Sequence, residues 1–177
     1  MATSALVILL PVSVVILIVL KLSSGKVLFQ QYRVGLNGTN FMLIKFRSMK
    51  DHSDGRNLQS SEDPRLTAFG KFLRQFALDE IPELINVLKG DMSIVGPRPL
   101  ATWENDEILK EFGPVWNLRT RLTKPGMIGL AQLYANRNDN KERFRWDLKY
   151  IKNQSILLDL KIFITGLLKT FTGKQWI

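Results

Sequence analysis

The chain has 177 residues, 45% of them hydrophobic, and a formal net charge of +9 with one histidine and no cysteine. That length suffices for one compact domain, and the charge predicts an anionic partner, namely nucleic acid, anionic lipid headgroups or a phosphorylated substrate. The residue types present exclude a disulfide framework, a thiolate or histidine-based zinc site, a cysteine nucleophile and a Ser-His-Asp triad.

Residues 5–20, ALVILLPVSVVILIVL, contain no charged side chain and are predicted to enter a membrane. A straight helical span needs about 20 apolar residues, so this run is marginal, and Pro11 removes a backbone hydrogen bond near its middle. We therefore predict a re-entrant helical hairpin over residues 1–22 that is broken at Pro11, with a single kinked span as the alternative.

The flanks of this apolar run indicate its orientation. A cleaved signal peptide is disfavoured because no basic residue precedes the run and no small-x-small cleavage site follows it. Lys21, Lys26 and Arg33 come after the run. By the positive-inside rule they place residues 23–177 in the cytoplasm, as a membrane-associated domain.

A β-hairpin is predicted next, with strands at 27–34 and 41–46 that are joined by a Gly-Leu-Asn-Gly turn. Its polar side chains, including Arg33 and Lys45, are interpreted as solvated or facing lipid headgroups. The composition of residues 50–62 is typical of an exposed loop, and His52 is interpreted as a solvated member of it.

Two helices are predicted between residues 67 and 89. Apolar residues recur every three to four positions in 67–76 and again in 80–89, and Lys89-Gly90 is a usual helix stop. Asp79 stands where the second helix would have its N-cap.

Charged residues surround the start of that second helix. Asp79 and Glu80 are adjacent, Arg74 precedes them, and Arg98 follows in a Gly-Pro-Arg-Pro turn. Helix N-termini favour anions, and arginine binds phosphate oxygens with two parallel hydrogen bonds. This arrangement predicts a site for phosphate chemistry, although Asp79 taken alone would more often be an ordinary cap.

The last third of the chain contains three predicted segments. Residues 103–116 suggest a short helix and a turn. The rings of residues 143–150, among them Tyr150, are mixed with basic side chains, as expected at headgroup depth. Residues 156–171 favour an interfacial amphipathic helix, with a core helix as the alternative.

With these residues laid out, the chain resembles the bacterial sugar transferases of the monotopic phosphoglycosyl transferase superfamily. The resemblance runs from about Pro11 to Thr165 and rests on motifs in order: QQYRVGLNG, IKFRSM, the whole stretch of residues 63–100, KPGMIGLAQLYANRN, D-x-x-Y and LDLKI. Chance agreement at all of these motifs is very improbable.

The resemblance implies a reaction. Such enzymes transfer a sugar 1-phosphate from a UDP-sugar to a polyprenyl (undecaprenyl) phosphate and release UMP, in the first membrane step of exopolysaccharide, lipopolysaccharide or other glycan assembly. Carried to this chain, Asp79 is the catalytic nucleophile and Glu80 its catalytic partner, and both are expected to hold Mg²⁺ with the donor phosphates. Arg74, Arg98, Lys124 and Arg137 are expected to bind phosphate or substrate.

The chain departs from the usual family pattern at several places. Lys124 stands where an arginine usually precedes Pro-Gly, which keeps the charge without the planar fork. Arg119 and Arg121 could then share that phosphate contact. Ala77 and Glu83 replace a serine and a glutamine that often flank the acidic pair. The segment before the apolar run is short, which leaves open an N-terminally shortened or naturally minimal form.

Taken together, the sequence predicts an α/β protein on the cytoplasmic face of the bacterial inner membrane. It would combine a short β-hairpin, membrane-interface amphipathic helices and the re-entrant N-terminal helix. The expected partners are the UDP-sugar, the polyprenyl phosphate and the membrane, with no nucleic acid and with homo-oligomerisation left open. The main alternative is a non-catalytic basic scaffold that binds anionic lipid or a partner transferase. A Rossmann-like glycosyltransferase is disfavoured because the chain has no G-x-G-x-x-G and no series of β-α repeats.

Overall fold

The computed structural model of the chain describes residues 2–50, 63–136 and 138–171. Within them, helices and short strands combine, so the predicted α/β class is confirmed. The elements in chain order are α1 (Ala2–Ser24), β1 (Leu28–Val34), β2 (Asn40–Phe46), α2 (Ala68–Gln75), α3 (Glu83–Lys89), β3 (Ser93–Val95), α4 (Thr102–Phe112), α5 (Leu118–Leu122), β4 (Gly126–Ile128), α6 (Leu130–Tyr134), α7 (Asn140–Lys152) and α8 (Ile156–Phe171). The expected loop at 50–62, with His52, lies outside the described residues apart from Lys50.

The predicted hairpin is confirmed as an antiparallel pair. Its register runs from Leu28 opposite Phe46 to Val34 opposite Asn40. The turn passes through Asn37 and Gly38, whose φ angles of 57° and 76° lie in the left-handed region that asparagine and glycine tolerate best. A second, parallel pair joins β3 to β4, and the sequence analysis did not predict it.

Helix α1 continues through Pro11 as one helix rather than as two separate arms. An interior proline costs a helix one backbone bond but does not always end it. The helix is long and apolar enough to cross a membrane by length and composition. Only 11% of its most apolar 18-residue stretch is buried inside the protein. Ile16 and Leu20 pack on Leu73 and Leu84, so one side of α1 belongs to the core. Its path in a membrane, re-entrant or spanning, stays a prediction.

A second cluster of apolar side chains holds α6, α7 and α8 against the short parallel sheet. Its centre is Tyr150, which was expected at headgroup depth. That expectation is wrong for Tyr150, which is 1% exposed. Its hydroxyl points into the protein, 2.9 Å from the Asp159 carboxylate and 3.2 Å from the Val95 carbonyl, and these two acceptors share its one proton. Phe144, from the same predicted segment, packs on Trp116 instead.

Helix α8 has two apolar sides with different surroundings. Ile162 and Gly166 are buried against the rest of the domain, whereas Ile156, Leu168 and Phe171 are more than half exposed. The helix therefore contributes to the core and also presents apolar side chains outward. Its contact with a membrane interface stays a prediction.

Candidate active site

The acidic pair lies in a tight connection between α2 and α3. Ala77 adopts a left-handed backbone (φ 51°), and residues Leu78–Glu80 form one turn of 3-10 helix. The regular helix begins only at Glu83, directly after Pro82. The predicted N-cap role of Asp79 is therefore wrong: Asp79 sits inside the preceding turn, because Ala77 reverses the chain before the helix begins.

A cleft of about 1780 Å³ opens beside this turn. Asp79, Glu80, Arg74 and Arg98 all line it, so the structure brings together four of the residues that the sequence singled out. Among the described residues that line the cleft, Lys124 does not occur, and its ammonium group lies near Gly90 at the end of α3.

Arg137 lies outside the described residues. The assignments of substrate contacts to Arg137 and Lys124 stay predictions.

Arg74 links the nucleophile candidate to the end of the hairpin. Its Nε lies 3.7 Å from Asp79 Oδ2 and donates a 2.8 Å hydrogen bond to the Ser48 hydroxyl. Asp79 is 4% exposed. Burial raises the pKa of Asp79 above its ordinary value, against the opposing charge of Lys45.

The expected solvation of Arg33 is wrong, since Arg33 is 5% exposed, and the same expectation fails for Lys45. Its Nζ lies 2.7 Å from both Glu80 Oε1 and Glu83 Oε1, and its side chain is 12% exposed. Solvation is therefore the wrong interpretation. The sequence did contain a signal for the burial of Lys45. Phe41, Leu43 and Lys45 are spaced two residues apart in β2, so their side chains point to the same face of the hairpin, which is the buried face.

The three carboxylates of this region differ in how readily they ionise. Although burial favours the neutral forms, the charge of Lys45, followed by that of Arg98, lowers the pKa of Glu80. Burial raises the pKa of Glu83 to about 7. Burial alone lowers the pKa of Lys45, but the Glu80 and Glu83 carboxylates outweigh it and raise that pKa. Glu80 therefore carries its charge at neutral pH while Asp79 ionises less easily.

A second group of charged side chains also lines the cleft. Arg119 Nε lies 2.6 Å from Asp147 Oδ2, and Glu104 lies between Arg33 and Arg143 at 3.9 and 3.5 Å. Sequence reasoning missed these pairs because their members come from three distant helices and a strand. Only Asp147 had a signal, as the first residue of the D-x-x-Y motif.

The expected magnesium site can be compared with these residues. Asp79 and Glu80 are adjacent and both line the cleft, while no group of three or more metal-binding side chains forms within the described part of the chain. Two carboxylates without a third fit Mg²⁺, which is usually held by one or two carboxylates together with substrate phosphates. They do not fit an all-protein metal cage.

These features define a class of protein. A buried carboxylate lies among Lys45, Arg74 and Arg98, in a cleft whose other wall includes apolar side chains of α1 and α8. Such a cleft can hold phosphate groups and bring an anionic nucleophile to them, next to a helix suited to a membrane. These properties suit a membrane-associated enzyme that acts on phosphate groups.

Comparison with known proteins agrees with this class. The family model for bacterial sugar transferases matches residues 1–173, and the chain belongs to that family. It is 41% identical to a UDP-glucose:undecaprenyl-phosphate glucose-1-phosphate transferase of Xanthomonas campestris pv. campestris, over 93% of this chain and 36% of the relative. It is 36% identical to a UDP-N-acetylgalactosamine-undecaprenyl-phosphate N-acetylgalactosaminephosphotransferase of Aeromonas hydrophila, over 92% and 40%.

A shorter relative is also similar. The uncharacterized sugar transferase EpsL of Bacillus subtilis (strain 168) is 38% identical over 97% of this chain and 85% of its own length. The chain thus spans well under half of the two longer relatives, but most of this shorter one.

Proposed function

We propose that this protein transfers a sugar 1-phosphate from a UDP-sugar to undecaprenyl phosphate at the cytoplasmic face of the bacterial inner membrane. The proposal rests on the position of Asp79, which is buried in the cleft between Arg74 and the ion pairs that Lys45 forms with Glu80 and Glu83. The activities named for the Xanthomonas and Aeromonas relatives support the same reaction. We further propose a role in exopolysaccharide or lipopolysaccharide assembly.

The chemistry proceeds in two displacements. An Asp79 carboxylate oxygen attacks the phosphorus that bears the sugar, the bond from that phosphorus to the bridging oxygen breaks, and UMP leaves. A phosphate oxygen of the lipid then attacks the same phosphorus and breaks its bond to Asp79. The product is a polyprenyl diphosphate sugar, and the carboxylate is regenerated.

Cationic side chains lower the barrier to the first step. An anionic nucleophile and a diphosphate repel each other, so charge must be neutralised before attack. Arg74 and Arg98 line the cleft on the side of Asp79, and Lys45 holds Glu80 in place at 2.7 Å. When bound, Mg²⁺ would neutralise further charge on the donor phosphates, with Asp79 and Glu80 as its protein ligands.

The apolar wall of the cleft suits a lipid acceptor. Leu9 and Val12 of α1, Phe72 of α2 and Leu167 of α8 line the same cleft as the acidic pair. A polyprenyl chain could lie along these side chains while its phosphate reaches the charged end, because burial of apolar surface from water is favourable. The acceptor and the soluble donor would then meet at Asp79.

The test is UMP release from UDP-glucose and UDP-N-acetylgalactosamine with undecaprenyl phosphate and Mg²⁺. Asp79→Asn is nearly isosteric but is a far poorer nucleophile, so it should lower kcat by about 10³-fold or more. Intact-mass measurement of the wild type with donor alone should show a phosphosugar adduct that Asp79→Asn lacks.

The matched control is Asp106→Asn, an exposed change on α4, which should keep wild-type turnover. Full turnover by folded Asp79→Asn would show that another group is the nucleophile. Vesicle binding without UMP from any donor would support the scaffold alternative instead.

A further inference from the structure

The loop that carries Arg98 is held along its main-chain carbonyls. Pro97 and Pro99 have no N–H to donate, so the loop cannot build its own hydrogen-bond ladder and depends on donors from elsewhere. These donors come from four other elements. Side chains reach three of the carbonyls: Tyr150 Oη lies 3.2 Å from the Val95 oxygen, Arg119 Nη2 lies 3.1 Å from the Arg98 oxygen and Arg33 Nη1 lies 3.1 Å from the Pro99 oxygen. Backbone N–H groups reach two more: Gly126 N donates to the Pro97 oxygen and Val34 N to the Leu100 oxygen, each at 2.9 Å.

Arg119 makes the contact closest to the Arg98 side chain. Its guanidinium donates from Nε to Asp147 at 2.6 Å and from Nη2 to the Arg98 carbonyl, and it lies 4.6 Å over the Trp116 ring. Arg119 is 4% exposed. Two N–H groups of the Arg119 guanidinium therefore already donate to groups within the protein. This role differs from the direct phosphate contact that the sequence left open for Arg119.

Helix α7 supports the loop on both sides of its turn. Asp147 and Tyr150 are three residues apart and so lie on the same face of the helix. Tyr150 holds the carbonyl before Gly96, and Asp147 holds Arg119, which holds the carbonyl of Arg98. The D-x-x-Y motif thus supports the Gly-Pro-Arg-Pro turn from far along the chain, since Tyr150 lies 55 residues after Val95.

We infer that Arg119, held by Asp147, is a positioning residue that fixes the main chain at Arg98 and so aims the Arg98 side chain at the donor diphosphate. This inference rests on the proposed function, in which Arg98 binds that diphosphate. A flexible arginine loses conformational entropy on binding, and a fixed main chain removes part of that cost in advance. The effect of Arg119 on the donor therefore passes through Arg98.

A double-mutant cycle on the full chain in detergent tests this dependence. Arg119→Lys keeps the charge but cannot hold Asp147 and the Arg98 carbonyl together, so it should raise KM for UDP-glucose about tenfold. In the Arg98→Ala background the same change should alter KM by less than about twofold, because the side chain that it positions is gone. Equal effects of Arg119→Lys in both backgrounds would overturn the inference and make Arg119 an independent contact.

Tyr150→Phe provides a second variant that removes only a hydroxyl. It leaves the Val95 carbonyl, on the other side of the turn, with the Ser93 hydroxyl as its side-chain donor. The effect of this change on KM should likewise vanish in the Arg98→Ala background. An effect that persists there would count against the inference. Lys110→Gln, an exposed change on α4, is the control and should leave KM and Tm unchanged.

Binding of UDP, followed by calorimetry, separates this inference from the proposed function. A wild type that binds UDP but releases no UMP from any donor would refute the proposed reaction. The double-mutant cycle of Arg98 and Arg119 would then be measured through the Kd for UDP. The effects of the two substitutions on that Kd are expected to be non-additive in the same way. A wild type that binds no UDP would overturn the inference itself.

Discussion

At the scale of single residues, Lys45 connects the site to the core. It pairs with Glu80 and Glu83 at 2.7 Å each, and Glu83 is 3% exposed. A buried ion pair gains little when both partners are present but costs much when one is removed, because the other charge stays buried. Lys45 therefore matters to stability as well as to the placement of Glu80.

Lys45→Met is expected to destabilise the fold by about 3 to 5 kcal/mol. The methionine keeps most of the volume and leaves two carboxylates without their counter-charge. Thermal unfolding in detergent measures the loss as a fall in Tm. Adding Glu83→Gln should recover part of that Tm, and Lys110→Met, at an exposed position of α4, should not change it. No recovery in the double variant would contradict this account of the pair.

Glu83 should make stability depend on pH. Burial, opposed by Lys45, raises its pKa from 4.5 to about 7, so between these values the folded state binds one proton more than the unfolded state. Stability must then fall as pH rises through this interval, by about 3 kcal/mol in total for a shift of this size.

The Tm of the wild type should fall relative to that of Glu83→Gln between about pH 5 and about pH 8, since glutamine does not titrate. Both proteins are compared in the same detergent and buffer series. Parallel Tm curves for the two proteins would show that Glu83 ionises normally in the folded state.

At the scale of elements, the approach of α2 to the end of β2 determines where Arg74 lies. Thr67 caps α2 by accepting from Gly70 N, and its own N–H donates to the Ser48 carbonyl. Arg74, one turn after Gly70, donates to the Ser48 hydroxyl. The capped first turn of α2 and Ser48 therefore position the arginine that faces Asp79.

Gly70→Ala should reduce both stability and activity. A Cβ at this position would overlap the carbonyl oxygen of Ser48, so α2 must move away from the hairpin and carry Arg74 with it. Overpacking of this kind costs about 1 to 3 kcal/mol. The measurements are Tm and UMP release. Gln75→Ala, at an exposed position of the same helix, is the control, and unchanged turnover in Gly70→Ala would show that α2 does not position Arg74 in this way.

At the scale of the whole molecule, two helices present apolar side chains outward. Ile8 and Leu22 of α1 are 74% and 83% exposed, and Ile156 and Leu157 of α8 are 87% and 79% exposed. Single exposed apolar side chains are common on soluble proteins, but several of them on each of two helices are typical of a region that contacts a membrane. We therefore propose that α8, like α1, contacts the membrane.

A fluorophore on α8 should report this contact. The chain has no cysteine, so Leu168→Cys introduces the only thiol and can be labelled with a dye that responds to polarity. In vesicles that contain anionic lipid the dye should shift to the blue and be protected from a water-soluble quencher. Lys110→Cys on α4 is the control, and equal quenching of the two dyes would place α8 in water.

The sequence predicted the local parts of this site. Asp79, Glu80, Arg74 and Arg98 lie within 25 residues of one another, and the spacing of apolar residues around them defined the helices that bring them together. It did not predict where the second helix begins. Ala77 in a left-handed backbone was not expected from its residue type, because alanine normally avoids that region.

By itself, the sequence determined the apolar character of the N-terminal segment, the β-hairpin, the helices around the acidic pair and the family, because each depends on patterns within a short stretch. It did not predict that α1 would continue through Pro11 as one helix. Only the tertiary structure decided that Lys45 lies between Glu80 and Glu83, that β3 pairs with β4, and that Arg119 holds the carbonyl of Arg98. These contacts join segments far apart in the chain, and no local periodicity encodes which distant partner a buried charge will find.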